Sequence, residues 1–408
     1  MSASQLKSSN LFKPFSISKN VTLNHRIVHA PTTRLRATED YVPSDLQLQY
    51  YDDRSKIPGT LLITEATYIS ADSIGIPHVP GIWSDQQVQA WKKIADKVHE
   101  NHSYLSIQIW ALGREADPAV LASKNVKYVS PMDDIYPDDI KKNSAIENNN
   151  PLKALTIPEI KQWVQKFVQA AENAVKAGID IIELHSAHGF LIDQFFQEIT
   201  NKRSDIYGGS IENRARFLLE IVDAVIEKIG DASKLALRLA PWAKTSGMNG
   251  ITDDSATYQA YVYVLSELQK RSDNGHTLAY ISIVEPRVSG LDDVDDPDIY
   301  KLKSNDFIYT HWKGTVLRAG GYLRDAPDYG WLLKHVNQDN RTLIGVGRHF
   351  LSNPDLVDRL KNGWELTDYD RSTFYIPAIN KGYNNWPLYN TTKIVDESVE
   401  NQIAVALA

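Results

Sequence analysis

Eight short apolar or β-branched runs recur along this chain, and nearly every one is followed by a stretch of helical periodicity. Such alternation is satisfied by a parallel sheet whose crossover helices cover its outer face. The runs are Arg26 to Ala30, Gly59 to Thr64, Leu105 to Ile109, Ile181 to Leu184, Leu235 to Leu239, Tyr280 to Val284, Thr315 to Ala319 and Thr342 to Ile344. An eight-fold barrel takes about 250 residues, so a chain of 408 leaves a remainder that fits as loops and tails. The expected fold is α/β, a single-domain (β/α)8 TIM barrel over residues 1–408, with an N-terminal lid and a long excursion after the third strand.

The helices between the runs carry their own signals. Ser84 can cap a helix with Val88, Trp91, Ala95 and Val98 inward, and Thr156-Ile157-Pro158-Glu159 is a capping box ahead of a long apolar stripe. A further helix is expected from Ile211 to Ile229, stopped by Gly230, and another from Ala256 to Lys270. Leu46 to Arg54 has the polarity of a surface helix. Asp325 and Pro327 are expected to open a short helix to Val336, and Ser352 to cap one that stops at Gly363. Gly113 to Leu155 is too long for an ordinary connection and reads as an excursion over the site.

The chain has no cysteine, which excludes disulfides, zinc-thiolate sites, iron–sulfur clusters and cysteine nucleophiles. A net charge of -7 and a pI near 5.9 argue against nucleic-acid and anionic-membrane partners. No stretch approaches the roughly 20 apolar residues of a membrane span, and the first residues lack an apolar signal core, so a cytoplasmic protein is expected.

Chemistry collects where the fourth run stops. His185 and His188 follow Leu184, with Gly189 and Phe190 beside them. Two imidazoles at the carboxyl end of a core strand can donate two hydrogen bonds to one oxygen or hold a metal, and a purely structural role is equally open. In a barrel, Thr33, Ala66, Gln108, Trp110, Arg238, Gly321, Gly347 and Arg348 share the same rim. The turns Gly320-Gly321 and Gly345-Val346-Gly347-Arg348 follow strands seven and eight, where barrels commonly bind phosphate. A phosphate site beside an amide, a hydroxyl and an arginine suits FMN: Gln108 at the pyrimidine edge, Arg238 near N1, Thr33 near O4. The plainer alternatives are a structural ion pair for Arg238 and an ordinary turn for the glycines.

The residues also resemble a known family, the yeast-type Old Yellow Enzymes, FMN-dependent NADPH dehydrogenases and ene-reductases. The matching stretches are His29 to Arg34, Gln108-Ile109-Trp110, His185 to Phe190, Arg203 to Arg214, Val284 to Val288 and Leu343 to Asp358. The resemblance implies bound FMN, contacted by Pro31, Thr33, Ala66, Gln108, Arg238, Gly320, Gly321, Gly345, Gly347 and Arg348, with NADPH as reductant. It implies that His185 and His188 grip the oxygen of an activated alkene, and that Trp110, Phe190 and Tyr375 line the substrate pocket. Ala66 replaces a common Gly, and Gly321 a common Asn. Monomer and homodimer are both left open.

One departure bears on mechanism. The family's proton donor is a tyrosine two residues beyond the second member of the pair, and here that residue is Phe190. Hydride addition to the β-carbon still creates an enolate that two hydrogen bonds can stabilise, but Phe has no proton to give. Slow reduction, a substitute donor such as water or Tyr375, and a redox-neutral isomerase or desaturase are the readings that follow. A flavin-binding protein without turnover is a further alternative. So is a metal-dependent hydrolase or aldolase built on His185, His188 and Asp193 or Glu183, against which Glu183 is expected to alternate away from His185.

Overall fold

The computed structural model describes residues 3–251, 255–290, 292–294, 303–392 and 396–407. Eight parallel strands close on themselves: β1 (Ile27–His29), β2 (Leu61–Ile63), β3 (Tyr104–Trp110), β4 (Ile181–Ser186), β5 (Leu235–Leu239), β6 (Ile281–Val284), β7 (Val316–Ala319) and β8 (Thr342–Val346). Each pairs with its sequence neighbour, and β8 pairs with β1 in the register Gly345 to Val28, which completes the ring. This is the expected (β/α)8 barrel. The strands are buried almost throughout because the barrel interior covers one face and helices the other.

The principal helices are α1 (Asp45–Arg54), α2 (Asp85–Glu100), α3 (Ile157–Lys176), α4 (Leu191–Phe196), α5 (Ile211–Ile229), α6 (Ser255–Asp273), α7 (Ile308–His311), α8 (Gly330–Gln338), α9 (Arg348–Ser352) and α10 (Leu356–Asn362). The capping box of α3 forms as expected: Glu159 N–H donates to Thr156 Oγ1, and Thr156 N–H donates to the Glu159 carboxylate at 2.8 Å. Gly230 ends α5 at φ 72°, a left-handed conformation that costs glycine little.

Three local expectations are corrected. Helix α1 is not a surface helix. Leu46, Gln47, Tyr50, Tyr51, Asp52 and Arg54 are all buried, and the Arg54 guanidinium lies 3.6 Å from the Tyr50 ring centroid. Polarity misled here because Arg54 is satisfied inside, donating to Phe350 O at 2.9 Å. Asp325 to Pro327 form a turn, and α8 begins only at Gly330, whose N–H donates to Asp325 Oδ2 at 2.8 Å. Ser352 closes α9 rather than capping α10, and its hydroxyl donates to Thr367 O.

The N-terminal lid is the hairpin Phe15–Ser18 with Val21–Leu23, and it closes the amino end of the barrel. Val21 and Leu23 pack with Val28, Leu61, Ile63, Ile181, Leu317 and Leu343, which line the interior there. The excursion after β3 carries the helices Pro118–Ser123 and Asp139–Glu147 and a two-stranded ladder of Val129–Ser130 with Lys153–Ala154. Among the described residues no helix is long and apolar enough to cross a membrane.

Candidate active site

At the carboxyl end of the barrel the strand exits surround a cavity of about 800 Å3, within the range of small-molecule and cofactor pockets. Every residue expected to contact flavin or substrate lines it, whereas Glu183 and Asp193, named for the metal alternative, do not. Pro31 and Thr33 come from the β1 exit, Ala66 from the β2 exit, and Gln108 and Trp110 from β3. His185, His188 and Phe190 come from β4 and the turn beyond, and Arg238 from β5. Gly320 and Gly321 follow β7, while Gly345, Gly347 and Arg348 belong to β8 and its exit. Tyr375 reaches the rim from the C-terminal segment and is 42% exposed.

The last of these placements depends on two arginines. Arg34 Nη2 donates to Gly382 O at 2.7 Å, and Arg36 donates to Phe374 O, Thr373 O and Lys381 O at 2.8 to 3.0 Å. Buried guanidiniums pinned by several carbonyls hold a long segment without any regular structure in it. Residues 373–382 are thereby fixed against the β1 exit.

His185 lies in a box of rings. It stacks on Trp110 with 5.8 Å between centroids, meets Phe190 edge-on at 4.8 Å, and stands 5.9 Å from His188 at 73°. His188 holds a left-handed φ of 58°, uncommon for a residue with a Cβ and frequent at functional sites. Burial lowers the pKa of both imidazoles, and the nearby Arg238 charge lowers it further, to about 3 for His188. Both rings are therefore neutral near pH 7, each with one N–H to donate.

Beneath them lies a polar floor. Gln108 Nε2 donates to Glu183 Oε1 at 2.6 Å, and Tyr280 OH shares a hydrogen bond with Ser106 Oγ at 3.1 Å. Glu183 faces the same interior as His185, contrary to expectation. Side chains alternate with a period of two along a strand, so residues two apart share a face. Burial raises the Glu183 pKa and the Arg238 charge opposes that rise.

The residues present suit FMN. Arg238 Nε, His185 Nδ1, His188 Nδ1 and Thr32 Oγ1 are buried with no hydrogen-bond partner among the described residues, a set of donors and acceptors aimed at an acceptor-rich ligand. A Cβ at Gly345 would lie 2.9 Å from Ala319 Cβ, and one at Gly347 3.1 Å from Thr32 Cγ2, so bare backbone forms that wall of the cavity. Sequence reasoning missed Glu115, Lys141, Ser246, Tyr322 and Arg324. Arg324 had a signal, lying three residues past the tandem glycines; the others sit on loops whose paths no local pattern reveals.

Residues 10–367 match the profile of the NADH:flavin oxidoreductase / NADH oxidase family. The chain belongs to this family, the Old Yellow Enzymes. It is 46% identical over 405 residues to a probable NADPH dehydrogenase of Candida albicans, covering 99% of this chain and 95% of that one. It is 43% identical over 386 residues to enoate reductase 1 of Kluyveromyces lactis, covering 94% and 95%. The crystal structure of Old Yellow Enzyme from Pichia sp. superimposes with a TM-score of 0.92 at 43% identity, covering 99% of this chain and all of that one. Old Yellow Enzyme membership makes the protein an FMN- and NADPH-dependent oxidoreductase of the ene-reductase type. It favours reduction over the isomerase, non-catalytic and metal-hydrolase alternatives.

Proposed function

We propose that the chain is a one-domain cytoplasmic enzyme that binds FMN in this cavity and uses NADPH to reduce the C=C bond of small α,β-unsaturated carbonyl or nitro compounds. The observation that carries the reading is the convergence of two neutral histidines and the Arg238 guanidinium on one 800 Å3 cavity walled by glycine backbone. FMN, when bound, would supply the hydride chemistry that couples NADPH oxidation to reduction of the alkene.

The protein's own groups do the rest. Gln108, held by Glu183, would offer its amide to the polar edge of the ring. Arg238 would offset negative charge on the reduced ring, and Thr33, Pro31 and Ala66, which line the same cavity, would contact the ring. Gly320, Gly321, Gly345 and Gly347 would let backbone donors approach the phosphate, whose charge Arg348 and Arg324 would neutralise. His185 and His188 each donate one N–H to the substrate oxygen, where enolate charge develops. Trp110, Phe190 and Tyr375 cover the apolar faces of the substrate and exclude water.

The test is a visible spectrum of the purified protein, followed anaerobically by NADPH and then by an activated enone. Yellow protein that bleaches with NADPH and regains colour with the enone, yielding saturated product, is the expected result. Protein that stays colourless after reconstitution with FMN would overturn the proposal.

A further inference from the structure

Each hydride delivered to an activated alkene requires one proton at the α-carbon, and Phe190 cannot supply it. The turn after β3 brings an acid to this part of the cavity. Glu115 lines it, and its Oε1 is buried with no hydrogen-bond partner among the described residues.

Three loops are laced together at that corner. Arg114 N–H donates to Gln194 Oε1 at 3.1 Å, and Gln194 Nε2 donates to Gly189 O at 2.6 Å and Leu112 O at 2.8 Å. The Arg114 guanidinium donates to Ser246 O at 2.5 Å. Ser246 Cβ would lie 2.6 Å from a Cβ on Gly189, the residue before Phe190, and the Ser246 side chain faces the Glu115 carboxyl. Glu115 and Ser246 thus share one corner with Gly189, while Phe190 packs its ring on Trp110 and His185.

We propose that Glu115 is the proton donor of this active site, a carboxylic acid standing in for the phenol that Phe190 lacks. The proposal rests on the ene-reductase reading above. Once a hydride has been added at the β-carbon, the alkene π electrons would become an enolate whose oxygen His185 and His188 would hold. The enolate electron pair then forms the α-carbon C–H bond as the Glu115 O–H bond breaks. The resulting carboxylate regains a proton from water on the side of Lys141, whose Nζ donates to Glu115 O at 2.9 Å.

The groups facing the carboxyl set its acidity. Burial raises its pKa most, Lys141 and Arg114 lower it, Asp138 raises it, and Ser246 lowers it by hydrogen bonding; Tyr128 also packs nearby. The net shift is upward, so the acid form persists to higher pH than in a surface glutamate.

The test is Glu115→Gln in the FMN-loaded enzyme, which keeps the shape and removes the acid proton. Bleaching by NADPH should stay within about 2-fold of wild type, while recovery of colour with an enone falls at least 10-fold and loses its pH dependence. Phe190→Tyr in the Glu115→Gln background should restore that half-reaction. Independently of turnover, the infrared spectrum of the wild type near neutral pH should contain a protonated-carboxyl band that Glu115→Gln lacks. An unaltered rate and pH profile in Glu115→Gln, absence of that band, or the same defect appearing in Tyr375→Phe instead would overturn the proposal. Wild-type protein that binds FMN but never reduces an enone would overturn the underlying reading as well, whereas normal wild-type turnover with an unaffected Glu115→Gln overturns the donor assignment alone.

Discussion

Phe190 meets Trp110 edge-on, with ring centroids 4.5 Å apart at 76°, so the residue where the family has its tyrosine is held by an aromatic wall. The ring lines the cavity but has no hydroxyl to donate. Phe190→Tyr should raise net alkene reduction, with about a 10-fold gain or more in the enone half-reaction if protonation limits it. Stopped-flow recovery of flavin absorbance measures this directly.

Arg238 gives a prediction about cofactor affinity. Its Nε has no hydrogen-bond partner among the described residues, and its charge is balanced chiefly by Glu183. Arg238→Gln removes a charged hydrogen-bond donor, typically about 1.5–3 kcal/mol, so FMN should bind roughly 10- to 100-fold more weakly. Fluorescence titration of apoprotein with FMN checks it, and unchanged affinity would remove Arg238 from the flavin site.

Gly345 tests the backbone wall. A methyl there would lie 2.9 Å from Ala319 Cβ and 3.2 Å from Leu317 Cδ2, inside a closed barrel where neither strand can retreat easily. Gly345→Ala should cost about 1–3 kcal/mol of stability and weaken FMN binding. Denaturation of the apoprotein separates the first effect from the second.

A buried ion pair holds the β6 and β7 exits. Arg318 Nε lies 2.6 Å from Glu285 Oε1, both side chains at most 2% exposed, and Tyr322 OH donates to the same oxygen at 2.7 Å. Removing one partner strands the other charge, so Arg318→Met should destabilise the fold by roughly 3–5 kcal/mol. Replacing both Arg318 and Glu285 with apolar residues should recover much of that loss, as chemical denaturation would reveal.

Acid should unfold the protein through its buried histidines. Burial holds the pKa of His29 at about 3 and that of His25 at about 4, against 6.5 in the unfolded chain. Between these values the unfolded state binds the extra protons, so stability is complete above pH 6.5 and falls as pH drops toward 3. His29 also hydrogen-bonds Tyr50 OH at 2.9 Å, so His29→Gln should lower Tm at pH 7 yet flatten its slope between pH 6.5 and 4. Thermal melts across that range decide the matter.

Periodicity and punctuation, both short-range properties, made the barrel legible: strand β5 lies at Leu235–Leu239 and helix α5 at Ile211–Ile229, as expected. The rim was legible for the same reason, because once strand ends are known a closed parallel barrel must gather Gln108, His185, Arg238 and Gly347 at one mouth. The burial of α1 was not legible because internal partners such as Phe350 O offset its polarity, and Glu183 shares a face with His185 because side chains two apart on a strand point the same way.

From its sequence alone this chain was determined to be a barrel, with the chemistry of its rim and a phenylalanine where a phenol is usual. Only the tertiary structure decided which loops meet above that rim. Arg114 reaches Gln194 across 80 residues and Ser246 across 132, and Arg34 reaches Gly382 across 348. These contacts follow from closure of the barrel, which brings strand exits together whatever their separation in the chain. No local pattern encodes them, and they place Glu115 beside Ser246 and Tyr375 at the mouth.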